Sequence, residues 1–376
     1  FFTSIGKYAF SYCYGLTIFN LPQEAKIERI LEGAFENTAW QNNPENTAIR
    51  NGLIIINNIL YLSLNDSATV SIPFNVTKIA EESFINSTNL RTIIFETQAG
   101  NTQISAIERY AFANCTALET FTLPKTVMTI GDYAFMNTRL DAFAIEVNSV
   151  LKNIGSGTFH NAKGLSELKL PSTIEEIADG AFTGCISLES IKILAPDEDE
   201  KNDYFKTVDG VLYKYNKDLP SGQVDNVGEI LHTYPSAKML SRYEVAAGTK
   251  RILEYAFYYS NIGSLIIPSS VTSIAGNAIV VPQLVYVEFE GVIPVARWQD
   301  LLGLDMSGKR FTPSFIFIQG NDNSKYDTFM QYRPSSLYLA KWKADGVSGS
   351  DLIEIVESSA ITITATEYLM YLNVSG

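Results

Sequence analysis

One dipeptide recurs through this sequence with a period near 23 residues, and that repetition restricts the fold more than any other feature. Ala-Phe stands at Ala9-Phe10, Ala34-Phe35, Ala111-Phe112, Ala134-Phe135, Ala181-Phe182 and Ala256-Phe257. Ser83-Phe84, Thr158-Phe159 and Ala278-Ile279 are variants in the same context. From Phe112 to Phe182 the phenylalanines are 23, 24 and 23 residues apart. A unit this short cannot bury its own apolar face, so it must stack on its neighbours, and a stack of such units is a solenoid. Where the spacing departs from 23, the extra residues fall at connections, as between Leu21 and Ile27 or between Phe95 and Ile104. The apolar frame persists on both sides.

The clearest unit reads Ile107, Ala111, Phe112, Cys115, Leu118, Phe121, Leu123, Pro124, Val127, Ile130, and Ile177, Ala181, Phe182, Cys185, Leu188, Ile191, Ile193 repeats its phase. Within Leu118-x-x-Phe121-x-Leu123 the alternation turns Phe121 and Leu123 inward and Thr122 outward. Pro124 ends the strand. The Ala-Phe and Val127-x-x-Ile130 positions fill the interior from the opposite side, and the phenylalanines are expected to form one buried column. The segments between strand and phenylalanine are short and rich in Gly, Thr and β-branched residues, so little α-helix is expected.

This pattern resembles the BspA-like subfamily of leucine-rich repeats. The resemblance implies a right-handed superhelical repeat solenoid, mostly β with short turns and 3-10 segments. The array covers 1–290, with irregular units near 51–73 and 204–245 that resemble the Asp-Gly-Val-Leu-Tyr hairpins interspersed in such arrays. Residues 291–335 read as a terminal repeat or cap. Residues 336–376 read as a C-terminal β segment, edge-closing or the start of a further domain, because Ile361–Thr366 alternates with period two. Family members include adhesion and host-interaction proteins, so the resemblance implies a cell-surface or secreted binding protein, its leader lying outside the chain. A spacer or display scaffold is the alternative, and hydrolysis at the acidic stretch is a remote third.

Charge narrows the partners. With 28 basic against 41 acidic residues and a net charge of −13, the chain is unsuited to nucleic acid or anionic membranes. No stretch approaches the roughly eighteen apolar residues of a membrane span. Two histidines, His160 and His232, and three cysteines leave little material for a zinc cluster or a nucleophile–histidine site. No catalytic residue, cofactor or metal is expected, and the chain is expected to be a monomer.

Cys13, Cys115 and Cys185 each follow a repeat phenylalanine by three residues. They are expected to be buried thiols too far apart for a disulfide. Asp197-Glu198-Asp199-Glu200 with Asp203 lacks the spacing of a calcium loop and reads as solvated. His160 reads as a turn residue. Trp298, Tyr12 with Tyr14, and Tyr255 with Tyr258 and Tyr259 read as rim packing. The glycosylation-type triplets at Asn75, Asn86 and Asn114 read as composition. The surface of most interest is the ladder of outward strand positions. Its ligand-binding candidates are Arg91, Thr92, Glu119, Thr120, Thr122, Glu167, Lys169, Glu189 and Lys192, and its expected partner is a protein or glycan.

Overall fold

The computed structural model describes residues 3–22, 25–43, 49–194, 202–215, 230–291, 302, 315–318, 338–342 and 353–355. It is a β-solenoid. Among the described residues the α-helix is confined to Ala39–Asn42, where Thr38 caps the Gln41 amide. The chain forms two units, Phe1–Ser187 with Ile193–Asn202, and Leu188–Lys192 with Asp203–Gly376.

From Thr69 to Ile177 each turn of the first unit lays down a longer front strand and a two-residue back strand. The front strands are β1 (Thr69–Ile72), β2 (Thr92–Phe95), β3 (Thr120–Leu123), β4 (Ala142–Ile145) and β5 (Glu167–Pro171). The back strands Lys78–Ile79, Ala106–Ile107, Thr129–Ile130, Asn153–Ile154 and Glu176–Ile177 pair in parallel as one continuous sheet. That sheet runs on into the antiparallel hairpin Leu53–Ile56 with Ile59–Ser63. Asn57 and Asn58 turn this hairpin with φ of 50° and 63°, the positive-φ pair that matches the twist of the flanking strands.

The expected column is present. Phe84, Phe112, Phe135, Phe159 and Phe182 are buried and stack with centroids 4.9, 5.3, 5.7 and 5.9 Å apart. Phe121 and Phe143, from the strand side, meet this column edge-on. The alanine before each phenylalanine has a backbone reason. The phenylalanine amide donates to the carbonyl preceding the next phenylalanine, as in Phe112 N to Ala134 O and Phe159 N to Ala181 O, at 2.8 and 2.9 Å. A small side chain keeps the two turns that close. Where Thr158 or Ser83 replaces alanine, its hydroxyl is satisfied by carbonyls, Gly131 and Gly155 for the first, Leu60 and Ala80 for the second.

Two residues per turn take the left-handed conformation, two before and two after the phenylalanine, as at Tyr110 and Asn114 or Tyr133 and Asn137. Asparagine tolerates this region better than most residues. Its use here has a second basis. Asn114 Nδ2 donates to Asn86 Oδ1, Asn137 to Asn114, and Asn161 to Asn137, at 2.8, 2.8 and 3.0 Å. Beyond Asn161 the position is Gly184, where a Cβ would collide with Asn161 Oδ1.

In the second unit the Asp209-Gly210 turn joins Phe205–Val208 to Val211–Lys214. Ile230–Thr233, Arg251–Ile252 and Ser273–Ile274 continue that sheet. A six-stranded sheet runs from Leu240–Glu244 through Ile262–Ile267, Tyr286–Phe289 and Phe315–Ile318 to Tyr338–Trp342 and Ile353–Ile355. The expected strand at Ile361–Thr366 lies outside the described residues.

Two expectations need correction. Cys115 and Cys185 are buried, but Cys13 is exposed. Each buried thiol donates to the phenylalanine carbonyl of the preceding turn, Cys115 to Phe84 and Cys185 to Phe159. Tyr258, expected at the rim, is buried, while Tyr12 and Tyr14 are exposed.

Candidate binding face

Alternation along β3 leaves Thr120 and Thr122 exposed, with Phe121 and Leu123 in the core. The parallel register sets Thr120 beside Ala142 and Thr122 beside Ala144 of β4. On β2 Thr92 is half-buried, and its register partner is Thr69 of β1. On β5 Glu167 is half-buried and Lys169 exposed, joined by an ion pair of 2.8 Å. Glu119, at the foot of β3, is held from both sides by Arg91 and Arg139, each at 3.3 Å.

The strip is not one continuous ladder. The front strands pair only in twos, β1 with β2, β3 with β4, and β5 with Ser190–Leu194. Glu189 and Lys192 fall in the second unit. The breaks follow insertions. Extra residues separate Phe95 from Ile104 between β2 and β3. In the β4 turn the path from phenylalanine to strand is one residue shorter than in the β3 turn, and the path from strand to the next buried aliphatic residue is two residues longer. The longer path, Glu146–Val150, bulges through Asn148 at φ 59° and is tied back by Glu146 Oε2, which accepts the Lys125 amide at 2.9 Å.

That bulge walls a groove of about 890 Å³ over β4 and β5. Its floor holds Ala142 and Ala144, the small residues in the phase occupied by Thr120 and Thr122 one turn earlier. Val147, Val150 and Leu194 line it with 83%, 42% and 48% of their surface exposed. Lys169 and Glu167 are the candidate residues the groove gathers; Arg91, Thr92, Glu119, Thr120 and Thr122 lie on the face outside it. Ala142, Ala144 and Arg139 were not among the candidates. The sequence does signal the alanines, as the two small residues at outward strand positions.

The remaining candidates are structural or undescribed. His160 lies in a turn as expected but is buried, its Nδ1 2.8 Å from Thr183 Oγ1, and desolvation lowers its pKa. His232 is buried on Ile230–Thr233, against Thr233 Oγ1 and edge-on to Phe205. Of the glycosylation-type triplets, Asn75 and Asn114 donate their Nδ2 amides to Asn58 and Asn86, and Asn86 accepts through its Oδ1. Asp197–Glu200 and Trp298 lie outside the described residues. Among the described residues no three His, Cys, Asp or Glu side chains group as metal ligands, and no helix is long and apolar enough to cross a membrane.

The model of the BspA type leucine rich repeat region matches residues 2–103, 99–209 and 224–292, in six copies. The chain belongs to this family. As a BspA-type protein it has a repeat-based binding or display role. Among solved structures it is similar to the pneumococcal vaccine antigen PcpA, at 19% identity over 72% of this chain and 77% of that one, with a TM-score of 0.48. A leucine rich cell surface protein from Faecalibacterium prausnitzii A2-165 is 20% identical over 67% and 72%, with a TM-score of 0.46. A leucine-rich repeat protein from Eubacterium ventriosum is 19% identical over 69% and 76%, with a TM-score of 0.45. Comparison with curated proteins finds no match.

Proposed function

We propose that this chain is a non-catalytic binding protein, secreted or held at a cell surface, that recognises a protein or glycan through the outward strand face of its first unit. It acts as a monomer and needs no cofactor. The observation that carries this reading is the groove over Ala142 and Ala144, an open, mostly apolar recess on an otherwise polar strand face. A recess of this size falls within the usual range of ligand sites, about 300–1,000 Å³. The face is also free to vary, since its side chains point away from the phenylalanine column.

The test is a panel of immobilised extracellular matrix proteins and a glycan array, probed with the parent chain and with Thr122→Arg, Lys169→Glu and Lys192→Glu. Binding to the recognised partner is expected to fall in Thr122→Arg and Lys169→Glu while thermal stability stays nearly constant, because exposed charges add little to folding. Binding that survives both changes but disappears with a chelator assigns recognition to the acidic stretch at Asp197–Asp203 and sinks this reading. Lys192→Glu reports on the second unit.

A further inference from the structure

We propose that the first two turns, residues 3–22 and 25–43, open together as one body, leaving the aromatic column and the front face of the first unit in place. The boundary is a seam between the turn of Phe35 and the hairpin Leu53–Ile56 with Ile59–Ser63. This device is independent of the binding role proposed above.

The backbone marks the seam. Three amides of a repeat turn reach forward to the next, one at the phenylalanine and one two residues to either side. Tyr110, Phe112 and Asn114 donate to the carbonyls of Asp132, Ala134 and Met136, and Tyr8, Phe10 and Tyr12 donate to those of Glu32, Ala34 and Glu36. At Phe35 the series stops. Among the described residues the amides of Gly33 and Asn37 meet no carbonyl of the next element. The Phe35 amide is taken by a side chain instead, the buried Tyr61 hydroxyl at 3.1 Å. The back strands break at the same place, since Ser4–Ile5 pairs with Arg29–Ile30 alone and the eight-stranded back sheet ends at Ile49–Arg50. Elsewhere the back sheet bridges the breaks between front strands. Here no ladder bond among the described residues crosses.

Side chains cross it. Asn57 Nδ2 donates to the Ile27 carbonyl and Lys78 Nζ to the Glu28 carbonyl, both at 3.0 Å, and Lys7 Nζ lies 3.6 Å from Glu81. Phe35 meets Tyr61 edge-on at 5.6 Å, and Ile30 and Trp40 share an apolar cluster with Ile54 and Ile59. That cluster holds no member of the column that starts at Phe84. A cavity of about 250 Å³ interrupts the packing, lined by Leu31 and Ile59 and by the charged side chains of Lys7, Arg29, Lys78 and Arg109.

The stability of a solenoid is a sum of turn terms and interface terms, so partial opening follows the weakest interface. The seam lacks the ladder that couples other turns, and its Lys7 and Lys78 links are exposed, where water competes for them. The first two turns hold each other through a ladder of their own, Leu31 N to Ile5 O and Trp40 N to Leu16 O included. They therefore part from the hairpin before they part from each other.

Native-state hydrogen exchange of the full chain, read by mass spectrometry at low denaturant, tests this. Peptides covering Phe10, Leu31 and Thr38 are expected to exchange through one common opening, with an open population at least about ten-fold larger than for peptides covering Phe112 and Phe135. Tyr61→Phe keeps the ring and removes the hydroxyl, and Asn57→Gly keeps the positive-φ turn and removes the amide. Each should enlarge that opening by about three- to ten-fold while exchange in the column stays as in the parent. Equal protection of the first two turns and the column in the parent makes them one cooperative body and overturns the proposal. Fast exchange at Phe10 with Thr38 as protected as Phe135 is fraying of a single turn and overturns it too. So do variants that leave the first two turns unchanged or quicken the column by the same factor. Should Tyr61→Phe fail to fold, Asn57→Gly and the parent decide.

Discussion

Asn137 donates its side-chain amide to Asn114 Oδ1 at 2.8 Å, one turn of the solenoid away, and accepts the Asn161 amide at 3.0 Å. Both Asn137 and Asn114 have positive φ, so one residue type meets a backbone need and a side-chain need together. Asn137→Ala removes two hydrogen bonds and strains the left-handed position, at an expected cost of about 2–4 kcal/mol. Asn137→Gly relieves the strain and should cost roughly half as much. Denaturant midpoints of the two variants check this, and equal midpoints would show the backbone term to be negligible.

The aromatic column should carry more stability than any other single feature. Phe135 stacks between Phe112 and Phe159, is met edge-on by Phe121 and Phe143, and is fully buried. Phe135→Ala should lower stability by about 3–5 kcal/mol, as other large-to-small core changes do. A loss below 1 kcal/mol in equilibrium denaturation (an order-of-magnitude threshold, about that of one methylene) would show that the column is dispensable.

The three thiols should separate by reactivity. Burial pushes the pKa of Cys115 and Cys185 up to about 12, and each thiol is engaged with a carbonyl. The thiolate is the reactive form, so these two should resist an aromatic disulfide reagent at neutral pH. Cys13 is exposed and should react at once. Titration of the native and the denatured chain distinguishes one fast thiol from three, and fast reaction of three in the native chain would contradict the stacked position.

His160 should place an acid limb on the stability curve. Burial lowers its folded pKa below the ordinary 6.5, so the unfolded chain binds the proton more readily. The contribution is intact above about pH 6.5 and declines as pH falls from there toward the lowered folded value. Denaturation at pH 7.5 and at pH 5.5, for the parent and His160→Asn, should show a smaller acid loss in the variant. An identical loss would place the limb elsewhere.

Read from sequence, the inward half of the molecule was legible to the level of single residues. The phase of Phe112, Phe135, Phe159 and Phe182, the outward Thr122 and the small positions at Cys115 and Cys185 all follow from strand alternation and from each unit burying the same side against its neighbour. What only the tertiary structure decided lies between turns. Whether Glu119 is held by Arg139 as well as Arg91 and whether His160 is buried depend on which residue stands one turn away. The groove depends on a path one residue short before β4 and two residues long after it. That offset keeps the repeat period nearly intact in the chain while opening the front of the stack in space.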